Sequence, residues 1–163
     1  MARKLLKREA LDEFGKFFVR TLREQLENNK PFAKKASGNL INSIKYQIEQ
    51  DKGNDVFVLT AEPYLEYVDK GVSGTIRKYN TPYSYKKFPP RIDAISNWVR
   101  LKGLPADAVY PIRMKIFKYG LKPTNVINKS IREIQYRSTW ASKFEGEIAD
   151  SIIDEVKKTF GIK

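Results

Sequence analysis

Apolar residues near the start of the chain recur with helical spacing. Leu11, Phe14, Phe18, Leu22 and Leu26 fall three and four residues apart, which places them on one face of a helix predicted from about residue 10 to 28. Asn28-Asn29-Lys30-Pro31 ends it, because a proline disfavours helical backbone at the residue before it. After a short link, Ser37-Gly38-Asn39-Leu40-Ile41-Asn42-Ser43, the period changes to two. Ile44, Tyr46 and Ile48 alternate with Lys45, Gln47 and Glu49, the pattern of a half-buried strand. Residues 51–55 are dense in turn formers, and Val56-Phe57-Val58-Leu59-Thr60-Ala61 follows as a strand apolar on both faces. An antiparallel hairpin is predicted. A lone two-stranded hairpin is marginal in water, so its outer face calls for a third strand or a neighbouring subunit.

Residues 62–71 read as a short helix, with Pro63 at the first helical position and Gly71 just past the end. From 72 to 88 the periodicity is lost, and a projecting, exposed arm is expected there, since irregular connections of this length are often functional. Pro89-Pro90 opens a helix carrying Ile92, Ile95, Trp98 and Val99, stopped near Gly103. A further helix over 106–119 would bury Val109, Ile112, Ile116 and Phe117, with Pro111 in its first turn and Gly120 at its end. Thr124 is placed to cap the next helix, which carries Val126, Ile127, Ile131 and Ile134. Trp140, Phe144, Ile148, Ile152, Val156 and Phe160 continue at four-residue steps, as one long C-terminal helix or as two, broken near Ser138 or Gly146. The fold class is α+β: a small antiparallel sheet packed against several helices, with long N- and C-terminal helices and an extended basic and aromatic loop, in a single domain over 1–163.

Composition narrows the chemistry. The 163 residues show one composition throughout and contain no cysteine and no histidine. Disulfides, thiolate metal sites and the commonest general base are therefore excluded. A basic start is followed at once by Glu9, Asp12 and Glu13, without the apolar core of a signal peptide. No run approaches the ~20 apolar residues of a membrane helix, so synthesis and retention in a cytoplasm are expected. Lys and Arg outnumber Asp and Glu by 31 to 19, a net +12, which favours polyanions or acidic protein surfaces.

Catalytic constellations give way to plainer readings. Glu147, Asp150 and Asp154 share a helix face, but that face lies opposite Phe144, Ile148 and Ile152, as a solvated acidic stripe does. Glu62, Glu66 and Asp69 read the same way. Ser43 near Lys45 is a surface pair without an oxyanion hole, and no phosphate-binding loop, zinc motif or serine elbow is present. No cofactor is implied. The loop is richer: Arg77, Lys78, Lys86, Lys87 and Arg91 interleave with Tyr79, Tyr83, Tyr85 and Phe88. Nucleic-acid surfaces, protein interfaces and solvated loops all use such mixtures. A subunit or partner interface of Phe57, Leu59, Tyr79, Tyr83, Tyr85 and Phe88 leads, with the five cations as contacts for DNA or an acidic partner. Clustered aromatics are seldom left in water.

The order of motifs carries a resemblance. Ser37-Gly38-Asn39-Leu40-Ile41-Asn42-Ser43-Ile44 precedes two strands; Tyr64, Tyr67, Val68, Asp69 and Gly71 form a Tyr-x-x-Tyr-Val-Asp-x-Gly element; Gly120-Leu121-Lys122-Pro123-Thr124-Asn125-Val126-Ile127 opens the last helical region. This order resembles the neck and tail-completion proteins of tailed bacteriophages, in which a "TGxLxxSI" stretch, a "YAxYVExGT" element and a "kPxPFLxPA" helix start succeed one another. The middle segment, Pro89-Pro90, Ile95, Trp98, Val99 and Lys102-Gly103-Leu104, is similar to a stretch of phage minor structural proteins. Asp69 stands where the family carries Glu, and Thr124-Asn125-Val126 replaces its Pro-Phe stretch. The resemblance covers about residues 37–134. It implies a virion protein without catalytic residues: a homo-oligomeric ring around the DNA channel, between the portal or adaptor (or head-completion protein) and the tail tube or terminator, touching packaged DNA non-specifically and no membrane.

Overall fold

The computed structural model describes residues 2–28, 38–137, 139–144 and 146–162. The first helix, α1, spans Ala2–Glu27 and so starts nine residues before the first residue of the apolar spacing, Leu11. Its residues Leu11, Phe14, Phe18, Leu22 and Leu26 are all buried, as their spacing requires. The proline expected to end it, Pro31, lies outside the described residues, as does Ser37.

A short helix, α2 (Asn39–Ser43), buries Leu40 and Ile41 and leads into the hairpin of β1 (Lys45–Asp51) and β2 (Asn54–Thr60). The strands pair antiparallel from Lys45 opposite Thr60 to Asp51 opposite Asn54. Tyr46, Ile48, Phe57 and Leu59 pack inward on the core. Gly15 in the middle of α1 has a packing reason: a Cβ there would meet the Tyr46 ring at 2.4 Å. The ring lies over this gap, stacks on Phe57 at 5.9 Å, and donates its hydroxyl to Asp12 at 3.0 Å.

Behind α1 pack α6 (Val126–Arg137), α7 (Trp140–Lys143) and α8 (Gly146–Thr159). The C-terminal apolar spacing thus runs over three segments instead of one or two long helices. Phe144, in extended backbone with φ −107° and ψ 150°, ends α7, and α8 starts at Gly146, one of the two expected breaks; Ser138, the other, lies outside the described residues. The core centre is aromatic: Phe14 stacks on Phe18 at 5.5 Å and meets Phe57 and Trp140 edge-on at 5.6 and 5.4 Å. The indole Nε1 of Trp140 donates to the Ala10 carbonyl at 2.9 Å, joining the start of the chain to its last third.

The remaining elements are α3 (Leu65–Lys70), α4 (Ile92–Leu101), a 3-10 turn (Ala106–Ala108) and α5 (Val109–Tyr119). The last three pack on one another. Their most buried residue, Val99, belongs to no part of the main core, and neither does Val72. Residues 72–122 therefore form a lobe on a larger helical body. Among the described residues no third strand joins the hairpin, and none of the helices is long and apolar enough to cross a membrane.

Candidate functional site

The lobe meets the body where two stretches of backbone cross. Residues 71–74 run against 118–123, and Val72 and Leu121 exchange hydrogen bonds of 2.9 and 2.8 Å. Gly71 and Gly120 sit at φ 72° with ψ 180° and −165°, a region open essentially to glycine alone. A Cβ on Gly71 would lie 2.5 Å from the Leu121 carbonyl oxygen, and one on Gly120 only 2.0 Å from that of Val72. The closeness of the crossing depends on their lacking side chains.

The same crossing starts α6. Thr124, expected to cap that helix, donates its hydroxyl to the Val68 carbonyl at 2.7 Å. The cap comes instead from Asp69, whose Oδ1 accepts the Ile127 N–H at 3.0 Å across 58 positions. Burial pushes the Asp69 carboxyl above its ordinary range, against the opposing pull of that N–H. Nearby, the Ser43 hydroxyl donates to the Leu40 carbonyl and accepts the Glu62 N–H. It is a turn-former, and its chemistry is spent on that. The stretches 38–44, 64–71 and 120–127 therefore meet in one region, although the chain separates them widely.

The segment 72–88 is not a free arm. Val72, Ser73 and Gly74 are buried. Thr75 and Ile76 donate backbone bonds to Phe117 and Lys118, and Ser73 bonds to Tyr83 and Tyr85. The Ser73 hydroxyl also spans both backbone groups of Tyr79. A connection of this length stays ordered because its backbone groups find partners.

This stitching sorts the candidate residues. Tyr79, Tyr83 and Tyr85 are half-buried. The Tyr83 ring packs edge-on against Tyr67 at 4.6 Å, and a hydrogen bond to the Glu66 carboxylate pushes its hydroxyl up to about 12. Tyr85 meets Phe117 at 6.4 Å, and burial raises its hydroxyl as well. With Tyr64, Tyr67 and Pro82, the rings of Tyr83 and Tyr85 line an open cleft where lobe and body join. Phe57 and Leu59 turn inward onto the body's core; the hairpin's outer face presents Val56 and Val58 instead, both half-exposed. Phe88 points outward, 80% exposed. Arg77, Lys78, Lys86, Lys87 and Arg91 are all exposed. Lys78 turns back to the Gly74 carbonyl at 2.8 Å, and Arg91 pairs with Asp93 at 2.8 Å.

Ten large apolar side chains are exposed among the described residues, and all but Tyr136 lie between Tyr64 and Tyr119. Ile76, Ile92, Leu101, Leu104, Tyr110 and Tyr119 were not among the sequence candidates. Nor is the composition uniform: residues 72–122 hold eleven Lys or Arg against two Asp, which is +9 of the chain's +12. That imbalance is countable in the sequence, given the lobe's boundaries. Among the described residues no three acidic side chains are grouped to hold a metal ion, and Glu147, Asp150 and Asp154 stand exposed along α8. Comparison with protein-family models, curated proteins and solved structures gives no match for this chain.

Proposed function

We propose that this chain is a structural, non-catalytic head–tail joining protein of a tailed bacteriophage, working in the virion as a homo-oligomeric ring around the DNA channel. The portal or adaptor would lie on one side and the tail on the other. One observation carries the reading: seven of the ten exposed large apolar side chains among the described residues lie on one basic lobe, where neighbouring subunits and virion parts can cover them. Isolated proteins rarely expose large contiguous apolar surface without a partner for it. A closed ring needs two unlike patches on each copy, and the lobe and the Val56–Val58 face of the hairpin supply two. The convergence of the three motif stretches at the lobe's root adds support, because it gives their order along the chain a structural reason. Electron microscopy of purified virions carrying a labelled copy tests the proposal: label at the neck is expected, and virions free of the chain by mass spectrometry would refute it.

A second reading, a basic nucleic-acid-binding module, draws on the eleven cations of the lobe. It expects a monomer that binds duplex DNA regardless of sequence and releases it steeply as salt rises.

A further inference from the structure

One corner of the lobe combines apolar exposure with unpaired positive charge. Phe88 is 80% exposed and Ile92 55%, at the two ends of the segment Phe88-Pro89-Pro90-Arg91-Ile92. Arg113 holds this segment against α5 through a 2.7 Å bond from its Nε to the Pro90 carbonyl. One turn earlier on α5 stands Tyr110, 64% exposed. Lys86 and Lys87 adjoin Phe88, and neither has a carboxylate partner among the described residues. The two prolines and the Arg113 bond fix the backbone beneath these side chains before anything binds, which lowers the ordering cost of association.

We infer that this corner docks an acidic protein that inserts apolar side chains between Phe88, Ile92 and Tyr110, its carboxylates meeting Lys86 and Lys87. The inference deepens the head–tail reading and rests on it for where the partner sits. Charge decides against a second copy's lobe as the occupant. The lobe carries +9 of the chain's +12, so two lobes meeting at this corner would add like charges, and close juxtaposition of like charges is costly; the ring contact between a lobe and the next copy's hairpin face is a different one. Side-chain chemistry decides against nucleic acid. Phosphates are met by cations and polar hydrogen bonds, and an exposed isoleucine gains nothing from them. Aromatic anchors flanked by charge are instead the usual centre of a protein interface.

The test uses the full chain and three probes: a short synthetic peptide alternating Glu and Asp with Leu and Trp, the same peptide with Ser at each apolar position, and a short duplex DNA. Phe88→Ser, Ile92→Ser and Tyr110→Ser form one variant and Lys86→Glu with Lys87→Glu another; all five side chains are exposed, so circular dichroism is expected to find both folded. The amphipathic peptide is expected to bind, and each variant to weaken it by roughly tenfold or more, with the serine peptide weakened to a similar degree on the wild type. Equal binding of the two peptides overturns the inference. So does DNA binding that outlasts loss of the three apolar side chains, or self-association that disappears with them. Virion incorporation separates the two claims. A chain found at the neck whose incorporation is untouched by both variants keeps the head–tail reading and loses this docking corner. A chain that passes the peptide test but is absent from virions keeps the corner and loses the reading.

Discussion

Replacing Gly120 by alanine is expected to open the root of the lobe, where its two ends cross. At φ 72° and ψ −165° a side chain alone costs about 1–3 kcal/mol. The added Cβ would also lie 2.0 Å from the Val72 carbonyl oxygen, 2.6 Å from the Gly74 nitrogen and 2.9 Å from the Ser73 carbonyl carbon. All three are backbone atoms, so no rotamer change relieves the overlap. Parting the strands sacrifices the two bonds between Val72 and Leu121, about 1 kcal/mol each. The sum is about 3–5 kcal/mol, at the upper end of what single substitutions do. Gly103→Ala is the control, because its φ is also positive at 65° but nothing lies within 4 Å; it carries a strain of about 1–2 kcal/mol and no overlap. Urea unfolding followed by circular dichroism gives both values. The two tryptophans divide the molecule between them, Trp98 in the lobe and Trp140 in the body's core, so Trp98→Phe leaves fluorescence reporting on the body alone. Gly120→Ala is expected to unfold the lobe at lower urea than the body. A loss no larger than that of Gly103→Ala would refute the reasoning, because it would mean that the crossing is not close-packed.

Other outcomes follow from single contacts. Asp69→Ala removes the long-range cap of α6 and is expected to cost about 1 kcal/mol, whereas Asp69→Asn keeps an acceptor and should be near neutral in the same urea assay. Because burial raises the folded carboxyl of Asp69 above its unfolded value of 3.8, its contribution is fully present below that value and lost as pH rises through the folded one. Asp69→Asn should therefore flatten the pH dependence of stability just above pH 4, and an unchanged slope would argue against the burial. Tyr83, held up to about 12, should ionise in an NMR titration well above the ordinary tyrosine value of about 10; Glu66→Gln should bring it down, and no change would deny the bond between them. Phe14→Ala opens the centre of the aromatic core and is expected to cost about 3–5 kcal/mol; a loss below about 1 kcal/mol in thermal or urea unfolding would show that those ring contacts contribute little.

Much of the body was legible because its rules are local. The spacing of Leu11, Phe14, Phe18, Leu22 and Leu26 named the buried face of α1, and the alternation around Tyr46 and Ile48 named the inner face of β1. The glycine ends at Gly71 and Gly120 were also readable. What escaped depends on contacts remote in the chain. Thr124 is a good local cap, but Asp69 arrives from 58 positions away and takes the role. The irregular stretch 72–88 looked free because its hydrogen-bond partners, Phe117, Lys118 and Leu121, lie some forty residues on. On β2 both faces are apolar, so pattern alone did not tell which side would be buried. Phe57 and Leu59 turned inward, leaving Val56 and Val58 outside. The outward side chains of the lobe escaped for another reason: Ile92 was grouped with Ile95, Trp98 and Val99 as the apolar set of its helix, and Tyr110 falls between the apolar positions Val109 and Ile112 that drew the reading.

The bond from Trp140 to Ala10, with the packing of α6 and α8 on α1, also orders events during synthesis. The oily side of the first helix leaves the ribosome about a hundred residues ahead of the helices that will cover it. At roughly 5–20 residues per second, Phe14, Phe18 and Leu22 wait on the order of 5–20 s with only the hairpin for shelter. During that interval the nascent chain is a natural client for a chaperone, and premature termination anywhere before α6 leaves a fragment prone to aggregate.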